Sequence, residues 1–337
     1  MSSSSSSALA VLGRILRVEP IPNADRIELA TVSCASSGRW KGVVSKNALQ
    51  PEDMVYVFLQ DAILPPDPRW SFLKPQQHRI RMSMFRGVPS ECLIIKPPLD
   101  PVTQQPELFG GEEGMNLTEI LKVTKYSKDE AMMSSQSKPA PGSLPFPDFI
   151  PRTDEPNFQK VPNLVDRLGS CGGWIATLKC DGSSCTVWRD DQGSLHVASR
   201  NNEWLPIDPR NMYWNVVNRY PRIQTNLPQG LALQMELVGP KFNGNRMKLE
   251  QAEARAFSLF DFKAQSYLPY DRLCQVCEQV GVPVVPVMGR GQHALAEDEL
   301  RRLADVEYAK GCPGEGVVVR DEQHQFSFKV INLKYKD

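Results

Sequence analysis

Short apolar alternations broken by turn residues fill the first hundred positions of the chain. The stretches "ALAVLGRILRV", "RIELATVSC", "RWKGVVS", "DMVYVFLQ" and "ECLIIKPP" place apolar residues at every second position or in short runs. A period of two is typical of half-buried β-strands, and many short strands separated by turns are typical of a small antiparallel barrel. The pattern therefore predicts an antiparallel β-barrel domain over residues 8–110.

The hydrophobic pattern changes twice after this barrel. Residues 111–150 are rich in proline, glycine, serine and methionine, and only "NLTEILKVTKY" has helical spacing, with Asn116 or Thr118 as its cap. This predicts a linker with one short helix. Mixed strands and helices then predict a second domain over 151–337, and a serine run predicts a disordered tail over residues 1–7.

Composition indicates an ordinary globular protein long enough for two cores. The chain has 337 residues, 41% of them hydrophobic, and 39 basic against 39 acidic residues. Because the charges balance, any surface that binds nucleic acid must be local. No apolar run approaches the roughly 20 residues that cross a bilayer. We expect a protein without membrane contacts.

The cysteines favour a reducing compartment. Eight of them are scattered along the chain with no signal peptide in front, so we expect a cytoplasmic or nuclear protein that is not secreted. The one C-x-x-C pair, Cys274 and Cys277, has no second pair or histidine nearby. Two core-facing cysteines on a helix are therefore favoured over a metal or redox site.

A basic stripe is predicted on the barrel. In "HRIRMSMFRG", alternation puts apolar side chains on one face and arginines on the other, with a third arginine just beyond: Arg79, Arg81 and Arg86. Such a stripe could bind nucleic acid, and a plain solvated strand face is the alternative.

A lysine interrupts the apolar strand "WIATLKCDGSSCTVW". Lys179 lies in this run and is followed by Asp181 and Gly182. A buried ammonium is costly unless it is paired or loses its proton, and a neutral lysine is a nucleophile. The alternative is a lysine that simply reaches water from a half-exposed strand. Lys-x-Asp-Gly is too short to decide between them.

Later segments add further polar residues in a fixed order. "SLHVASRN" ends near Arg200, "ALQMELVGP" buries Glu236 and "ARAFSLFDF" alternates aromatic residues. "PGEGVVVR" sets Glu315 before a valine run, and "FSFKVIN" brings Lys329 into the last strand. Each alone is common in strands, so the information lies in their order.

That order resembles the covalent nucleotidyltransferases, which are nucleic-acid ligases and mRNA capping enzymes. "PNADRIELATV", "VTKY", "RTDEPNFQ" and "SFKVIN" further resemble the ATP-dependent RNA ligases with an N-terminal OB barrel, the RNA ligase 5 class. The resemblance implies an α+β protein in which an OB-fold precedes an ATP-grasp-like, DNA-ligase-like domain of antiparallel sheets flanked by helices. DNA ligases and capping enzymes place the OB domain after the nucleotidyltransferase domain, whereas the barrel comes first here. A DNA ligase or a capping-type guanylyltransferase is therefore the less favoured, enzymatic alternative. A non-catalytic nucleic-acid-binding protein is the alternative of another class.

The resemblance also implies a reaction in three steps. A lysine attacks the α-phosphate of ATP, AMP passes to a 5′-phosphate end, and a 3′-hydroxyl displaces AMP. The implied substrates are ATP and RNA, or an RNA-containing nicked duplex, with Mg²⁺ or Mn²⁺ as cofactor and RNA repair as the process. A monomer is expected.

Catalytic roles follow from the resemblance position by position. Lys179 is the implied nucleophile, and burial, the nearby cation Lys329 and a metal are expected to disfavour its ammonium form. Asp181 is expected to orient Lys179 or to hold the metal, and Glu315 to hold the metal through water. Lys329 is expected to neutralise the α-phosphate, and Gly182 to belong to the nucleotide site.

Two more residues complete the implied nucleotide site. Arg200 is expected to bind the ribose or the end phosphate, because its planar fork suits pairs of oxygen atoms. Glu236 is expected to accept hydrogen bonds from ribose hydroxyls.

Two choices stay open in the sequence. Adenine needs a flat apolar partner, and alternation puts Phe257 and Phe260 on opposite faces, so only one can stack; Phe260 is chosen. In relatives, a second basic residue often lies two positions after the last lysine. Here Ile331 occupies that position, and Lys334 is the nearest substitute.

Overall fold

The computed structural model describes residues 8–126, 142–161 and 163–335. These residues form two units, one over 8–126 and 159–161 and the other over the rest. The predicted tail at 1–7 and part of the predicted linker, 127–141, lie outside the described residues.

The first unit is built from short antiparallel strands, as the period-two pattern predicts. The strands are β1 (Ala10–Pro20), β2 (Ile27–Ser33), β3 (Arg39–Ser45), β4 (Met54–Phe58), β5 (Ala62–Ile63), β6 (Ser83–Phe85), β7 (Val88–Ser90), β8 (Leu93–Ile95) and β9 (Thr124–Lys125), with 3₁₀ segments Ala35–Ser37 and Pro68–Gln76. The main sheet has the order β3-β2-β1-β4-β8. Its edges approach each other where the Glu91 N–H donates to the Lys41 carbonyl at 2.8 Å. The predicted, nearly closed OB-type barrel is confirmed.

The predicted helix in "NLTEILKVTKY" is wrong. The Leu117 N–H donates to the Ala10 carbonyl at 2.8 Å, so this segment joins β1 by its backbone. The Asn116 side chain accepts from the Thr118 N–H at 3.0 Å within a turn. Leu117 and Leu121 are buried against the outer face of β1 and β4. The leucine spacing thus reflects a real apolar surface. One turn forms where the Leu121 N–H donates to the Leu117 carbonyl at 2.9 Å, but the left-handed Lys122 ends it before strand β9.

The predicted basic stripe is also wrong in part. Arg79 is only 6% exposed; its guanidinium lies 2.7 Å from the Asp61 carboxylate and 3.6 Å from the centre of the Tyr126 ring. The two residues before it adopt left-handed backbone conformations, so the run is not an extended strand and alternation does not apply. Arg81 and Arg86 are exposed.

Among its described residues, the second unit contains two larger antiparallel sheets, a separate pair of strands and five short helices. The strands are β10 (Ser143–Pro145), β11 (Trp174–Leu178), β12 (Ser183–Arg189), β13 (Leu195–Ala198), β14 (Asn202–Trp204), β15 (Leu231–Val238), β16 (Glu253–Asp261), β17 (Ser266–Tyr267), β18 (Val287–Gly291), β19 (Glu307–Ala309), β20 (Cys312–Pro313), β21 (Gly316–Asp321) and β22 (Ser327–Ile331). The helices are α1 (Leu164–Ser170), α2 (Met212–Val217), α3 (Arg222–Asn226), α4 (Tyr270–Val280) and α5 (Glu297–Leu303). The large sheet has the order β10-β14-β13-β12-β15-β16-β17, and the smaller one β18-β11-β21-β22; the separate pair is β19 with β20. The predicted α+β class is confirmed.

One face of the large sheet carries the main core of this unit. Alternate residues of β15, such as Met235, pack with Val276 of α4. Both predicted cysteines lie on α4; Cys277 faces this core, as predicted, whereas Cys274 is half-buried outside it. Glu236 lies on the opposite face of β15, away from this core. Across the described ranges, we find no helix with the length and apolar character needed to cross a bilayer.

Candidate active site

Lys179 directly follows β11 of the smaller sheet and lies beside Glu315, which directly precedes β21. Its backbone N–H donates to the Gly316 carbonyl at 2.9 Å, and its own carbonyl accepts from the Tyr308 hydroxyl. The Lys179 Nζ lies 2.8 Å from Glu315 Oε1, and the lysine side chain is 24% exposed. The backbone is therefore fixed on both sides, and the amine is directed at a carboxylate.

The charge state of Lys179 differs from the one expected from sequence. Burial lowers the pKa of Lys179, but the carboxylates of Glu315 and Glu236 outweigh burial and raise the pKa above its usual value. A raised pKa favours the ammonium form, which the 2.8 Å contact with Glu315 also suits. The prediction of a neutral amine omitted these two acids, which come from strands distant in sequence.

Gly182 and Glu236 are held together by a close approach of two strands. The Gly182 N–H donates to Glu236 Oε1 at 3.1 Å. A Cβ atom at position 182 would lie 2.0 Å from the Leu237 carbonyl oxygen, so only glycine fits there. Burial raises the pKa of Glu236 to about 8, although Lys179 lowers it. The glycine of Lys-x-Asp-Gly thus brings the half-buried Glu236 close to Lys179.

The structure places the Asp181 carboxylate beside groups other than Lys179. Its carboxylate, 8% exposed, accepts from the Tyr335 hydroxyl and the Asn243 amide and lies 3.4 Å from the Arg246 guanidinium. Within the described part of the chain, it makes no hydrogen bond or ion pair with Lys179. A carboxylate enclosed by three donors does not fit a metal ligand either. Asp181 instead anchors the loop after β15 and the end of the chain beside Lys179.

Lys329 and Arg200 share one acidic partner. Across the smaller sheet, Lys329 of β22 pairs with Val318 of β21, and Val318 pairs with Thr177 of β11. Residues paired across neighbouring strands share a face, so Lys329 and Thr177 lie on the same face of this sheet. Lys179, two residues after Thr177, continues that face. The carboxylate of Asp154 lies 3.6 Å from the Lys329 Nζ and 3.3 Å from the Arg200 guanidinium. A single carboxylate therefore bridges the two cations assigned to phosphate and ribose oxygens.

The segment that carries Asp154 is fixed along β22. The Lys329 N–H donates to the Pro156 carbonyl at 2.8 Å. The buried guanidinium of Arg320 bonds Glu155 at 2.9 Å and the Thr177 hydroxyl at 3.1 Å. Sequence reasoning missed Asp154 and Glu155. The signal in the sequence is the adjacent pair of acidic residues in "RTDEPNFQ", a stretch that above contributes only to the family resemblance.

The aromatic choice made from sequence is not supported by the structure. Phe260 is 3% exposed and packs in a core cluster, with its ring edge against Tyr267. In β16 the register slips at Phe257, which is left as a bulge between paired neighbours. This half-buried ring reaches a cavity, with the Arg320 guanidinium 5.7 Å from its centre. The cavity is lined by Ile175, Thr177, Phe257, Leu268, Tyr270, Leu273, Arg320, Asp321 and His324.

The acidic residues fit only a water-rich metal ion. Among the described residues, no group of three or more His, Cys, Asp or Glu side chains could hold a metal by itself. Glu315 has one oxygen paired with Lys179, and Glu236 acts on the same amine. A hard cation that keeps most of its waters and takes oxygens from a nucleotide needs only one or two protein carboxylates. Glu315 can supply one of them.

Lys334 is directed to another partner. Its ammonium lies 2.6 Å from the Asp305 carboxylate, and its side chain is 65% exposed.

Comparisons with known proteins agree with this architecture. Residues 172–336 match a family model described as RNA ligase, and residues 9–96 match one described as an OB-fold domain. The second unit belongs to the RNA ligase family. A search of curated proteins gave no significant match.

Solved structures of Naegleria gruberi RNA ligase resemble the whole chain. A glutamate-to-alanine mutant with ATP and Mn is 27% identical, with a TM-score of 0.77, and covers 98% of this chain and 100% of its own. An aspartate-to-alanine mutant without ligand has a TM-score of 0.78 at 27% identity, with 97% of each chain covered. The ligase with PPi gives 27% and 0.76, with 97% of each chain covered. The resemblance to an RNA ligase with an N-terminal OB domain is confirmed.

Proposed function

We propose that this RNA ligase uses ATP to join 3′-hydroxyl and 5′-phosphate ends through a lysyl-AMP intermediate, at nicks in RNA-containing duplexes, in RNA repair. The observation that carries the proposal is the Lys179 amine, which lies 2.8 Å from Glu315 and whose pKa is also raised by the half-buried Glu236. The Naegleria RNA ligase has been solved with ATP and Mn, with AMP and Mn and with PPi, which supports the same substrate and cofactor for this protein.

The first step is attack of the Lys179 nitrogen on the α-phosphorus of ATP. A nitrogen–phosphorus bond forms as the bond to pyrophosphate breaks. The ammonium must first lose a proton, and Glu236 can take it in its ionised form, the fraction of which grows as pH rises towards its pKa of about 8. The triphosphate supplies new negative charge, which draws Lys329 and Arg200 away from Asp154.

The remaining nucleotide contacts are assigned to Phe257, Glu236 and Glu315. Adenine stacks on Phe257, which is half-buried at the bulge in β16, rather than on buried Phe260. Glu236 accepts from the ribose hydroxyls once the amine has reacted. Mg²⁺ or Mn²⁺, held through water by Glu315, would neutralise charge on the α-phosphate when bound.

The later steps need RNA. AMP passes from Lys179 to the 5′-phosphate, and the 3′-hydroxyl then displaces AMP to form the phosphodiester. Exposed Arg81 and Arg86 on the barrel are candidate phosphate contacts, whereas buried Arg79 is not. We propose that the protein acts as a monomer in the cytoplasm or nucleus.

Incubation with α-labelled ATP and Mg²⁺ tests the proposal. The protein should become covalently labelled, Lys179→Ala should not, and Lys334→Ala, which removes an exposed lysine of the same unit, should label normally. Labelling that survives Lys179→Ala would remove this lysine as the nucleophile. Preferential labelling by GTP would favour a capping-type guanylyltransferase, and RNA binding without any labelling would favour a non-catalytic protein. Sealing of nicked duplexes with RNA or DNA at the 3′-hydroxyl end then defines the substrate.

A further inference from the structure

A small β-hairpin of the barrel unit exposes apolar side chains at its end. β6 and β7 pair with Phe85 opposite Val88, so Arg86 and Gly87 form a two-residue turn. Met84 is 40% exposed and Phe85 42% exposed, although neighbouring residues of a strand point to opposite faces. We call residues 84–87 the hairpin tip.

The turn chemistry of the hairpin tip does not favour its fold. Both turn residues have positive φ, 51° at Arg86 and 82° at Gly87. Two-residue hairpin turns with positive φ at both positions favour Asn-Gly, Asp-Gly or Gly-Gly, because a side chain is strained there. An arginine held in this conformation beside an exposed phenylalanine indicates a role other than stability.

The surroundings of the hairpin tip are strongly basic. Residues 68–90 contain five Lys or Arg and no Asp or Glu. Two of the arginines are paired with aspartates outside this range. In the portion of the chain that is described, Lys74, Arg81 and Arg86 make no ion pair. Uncompensated cations beside an exposed aromatic ring are the combination that binds unpaired nucleic acid, with cations on phosphates and the ring on a base.

We infer that the hairpin tip is an RNA-binding element in which Phe85 stacks on a base and Arg86 and Arg81 contact the flanking phosphates. This inference rests on the proposed function for the class of ligand. It goes beyond the basic stripe expected from sequence in two ways. It adds Phe85 as a base-stacking residue, and it places the contacts at the turn of a hairpin instead of along the face of a strand. RNA is favoured over a protein partner because the exposed apolar area is small and the charge is of one sign.

Binding of fluorescently labelled single-stranded RNA and of a nicked RNA duplex, measured by anisotropy, tests the hairpin tip. Phe85→Ala should weaken binding about 5- to 100-fold, the range for one lost base stack, and Phe85→Tyr should retain it. Phe72→Ala is the matched control, since Phe72 is a 56% exposed ring in the same unit. It should leave binding unchanged. Covalent labelling by ATP should be the same in all variants.

The arginine of the turn provides a second test with opposite signs for folding and binding. Arg86→Asn places a favoured residue in the left-handed turn, so the melting temperature should stay the same or rise. The same change removes a phosphate contact, so RNA affinity should fall and the slope of log affinity against log salt should decrease by about one.

Several results would overturn the inference. Unchanged RNA affinity in Phe85→Ala would do so, as would an equal loss in Phe72→Ala or a parallel loss of ATP labelling that shows general damage. A change in self-association of Phe85→Ala without a change in RNA affinity would make the tip a protein contact instead. If the intact protein is not labelled by ATP but its RNA binding depends on Phe85, the proposed ligase activity fails and the RNA-binding tip stands.

Discussion

Gly182→Ala tests whether the close approach of β12 to β15 positions the catalytic residues. The added Cβ would lie 2.0 Å from the Leu237 carbonyl oxygen, where ordinary contacts begin near 3.4 Å. The obstacle is backbone, so the strands must separate by about 1 Å or more, and such overpacking costs about 1–3 kcal/mol of stability. Glu236 precedes Leu237 and accepts from the Gly182 N–H, so it moves away from Lys179.

The expected loss of activity is larger than the loss of stability. A displacement of about 1 Å in a positioned group costs about 100-fold in rate. We therefore expect self-adenylylation of Gly182→Ala to slow by about that factor while the protein still unfolds cooperatively in urea. Gly169→Ala, in α1, is the control, because its Cβ would meet only Ala294 at an ordinary 3.7 Å. Its activity should be unchanged and its stability equal or slightly higher. Wild-type rate and stability in Gly182→Ala would refute the reasoning.

Three further predictions concern the same unit. Phe257→Ala should raise the KM for ATP about 2- to 12-fold with little change in stability, since an aromatic stack contributes about 0.5–1.5 kcal/mol. Phe260→Ala should instead lower the unfolding free energy by about 3–5 kcal/mol; the reverse pattern in kinetics and urea unfolding would contradict the assignment. Asp154→Asn should tighten pyrophosphate binding about 2- to 5-fold by calorimetry, because exposed ion pairs contribute only about 0–1 kcal/mol and the anion no longer competes with a carboxylate; weaker binding would count against a bridging role. The pKa of Glu236 is raised from 4.5 to about 8, so the folded state binds this proton more tightly than the unfolded state, and the free energy of unfolding should fall as pH rises over that range. In Glu236→Gln this fall should be smaller than in the wild-type protein. Equal pH dependence of the unfolding free energy in the two proteins would exclude the effect.

The sequence predicts those parts of the fold that depend on local pattern. Strands of the barrel follow from alternation, and Lys179 with Gly182 follows from one short motif. Alternation fails where the backbone is irregular. The bulge at Phe257 depends on how β16 pairs with β15, and the left-handed residues before Arg79 end the extended run. Neither irregularity has a local signal, so sequence alone could not show that Phe260 and Arg79 are buried.

Errors about chemistry have a different origin, which is long-range electrostatics. Burial alone predicts a lowered pKa for Lys179, but Glu315 and Glu236 raise it. Asp181 follows Lys179 closely in sequence and yet bonds groups contributed by distant loops. A motif places residues along one strand, whereas the charge on each depends on which other strands arrive beside it.

The cations proposed to bind ATP already have acidic partners within the protein. Lys179 is paired with Glu315, and Asp154 bridges Lys329 and Arg200. Nucleotide binding is then an exchange of carboxylates for phosphates rather than the filling of an uncompensated positive site. Half-buried cations without partners would be costly to hold in the fold, so this pairing stabilises the protein between turnovers. A ligand that carries several phosphate oxygens can replace Asp154 at Lys329 and Arg200 at the same time, whereas Lys179 must separate from Glu315 alone.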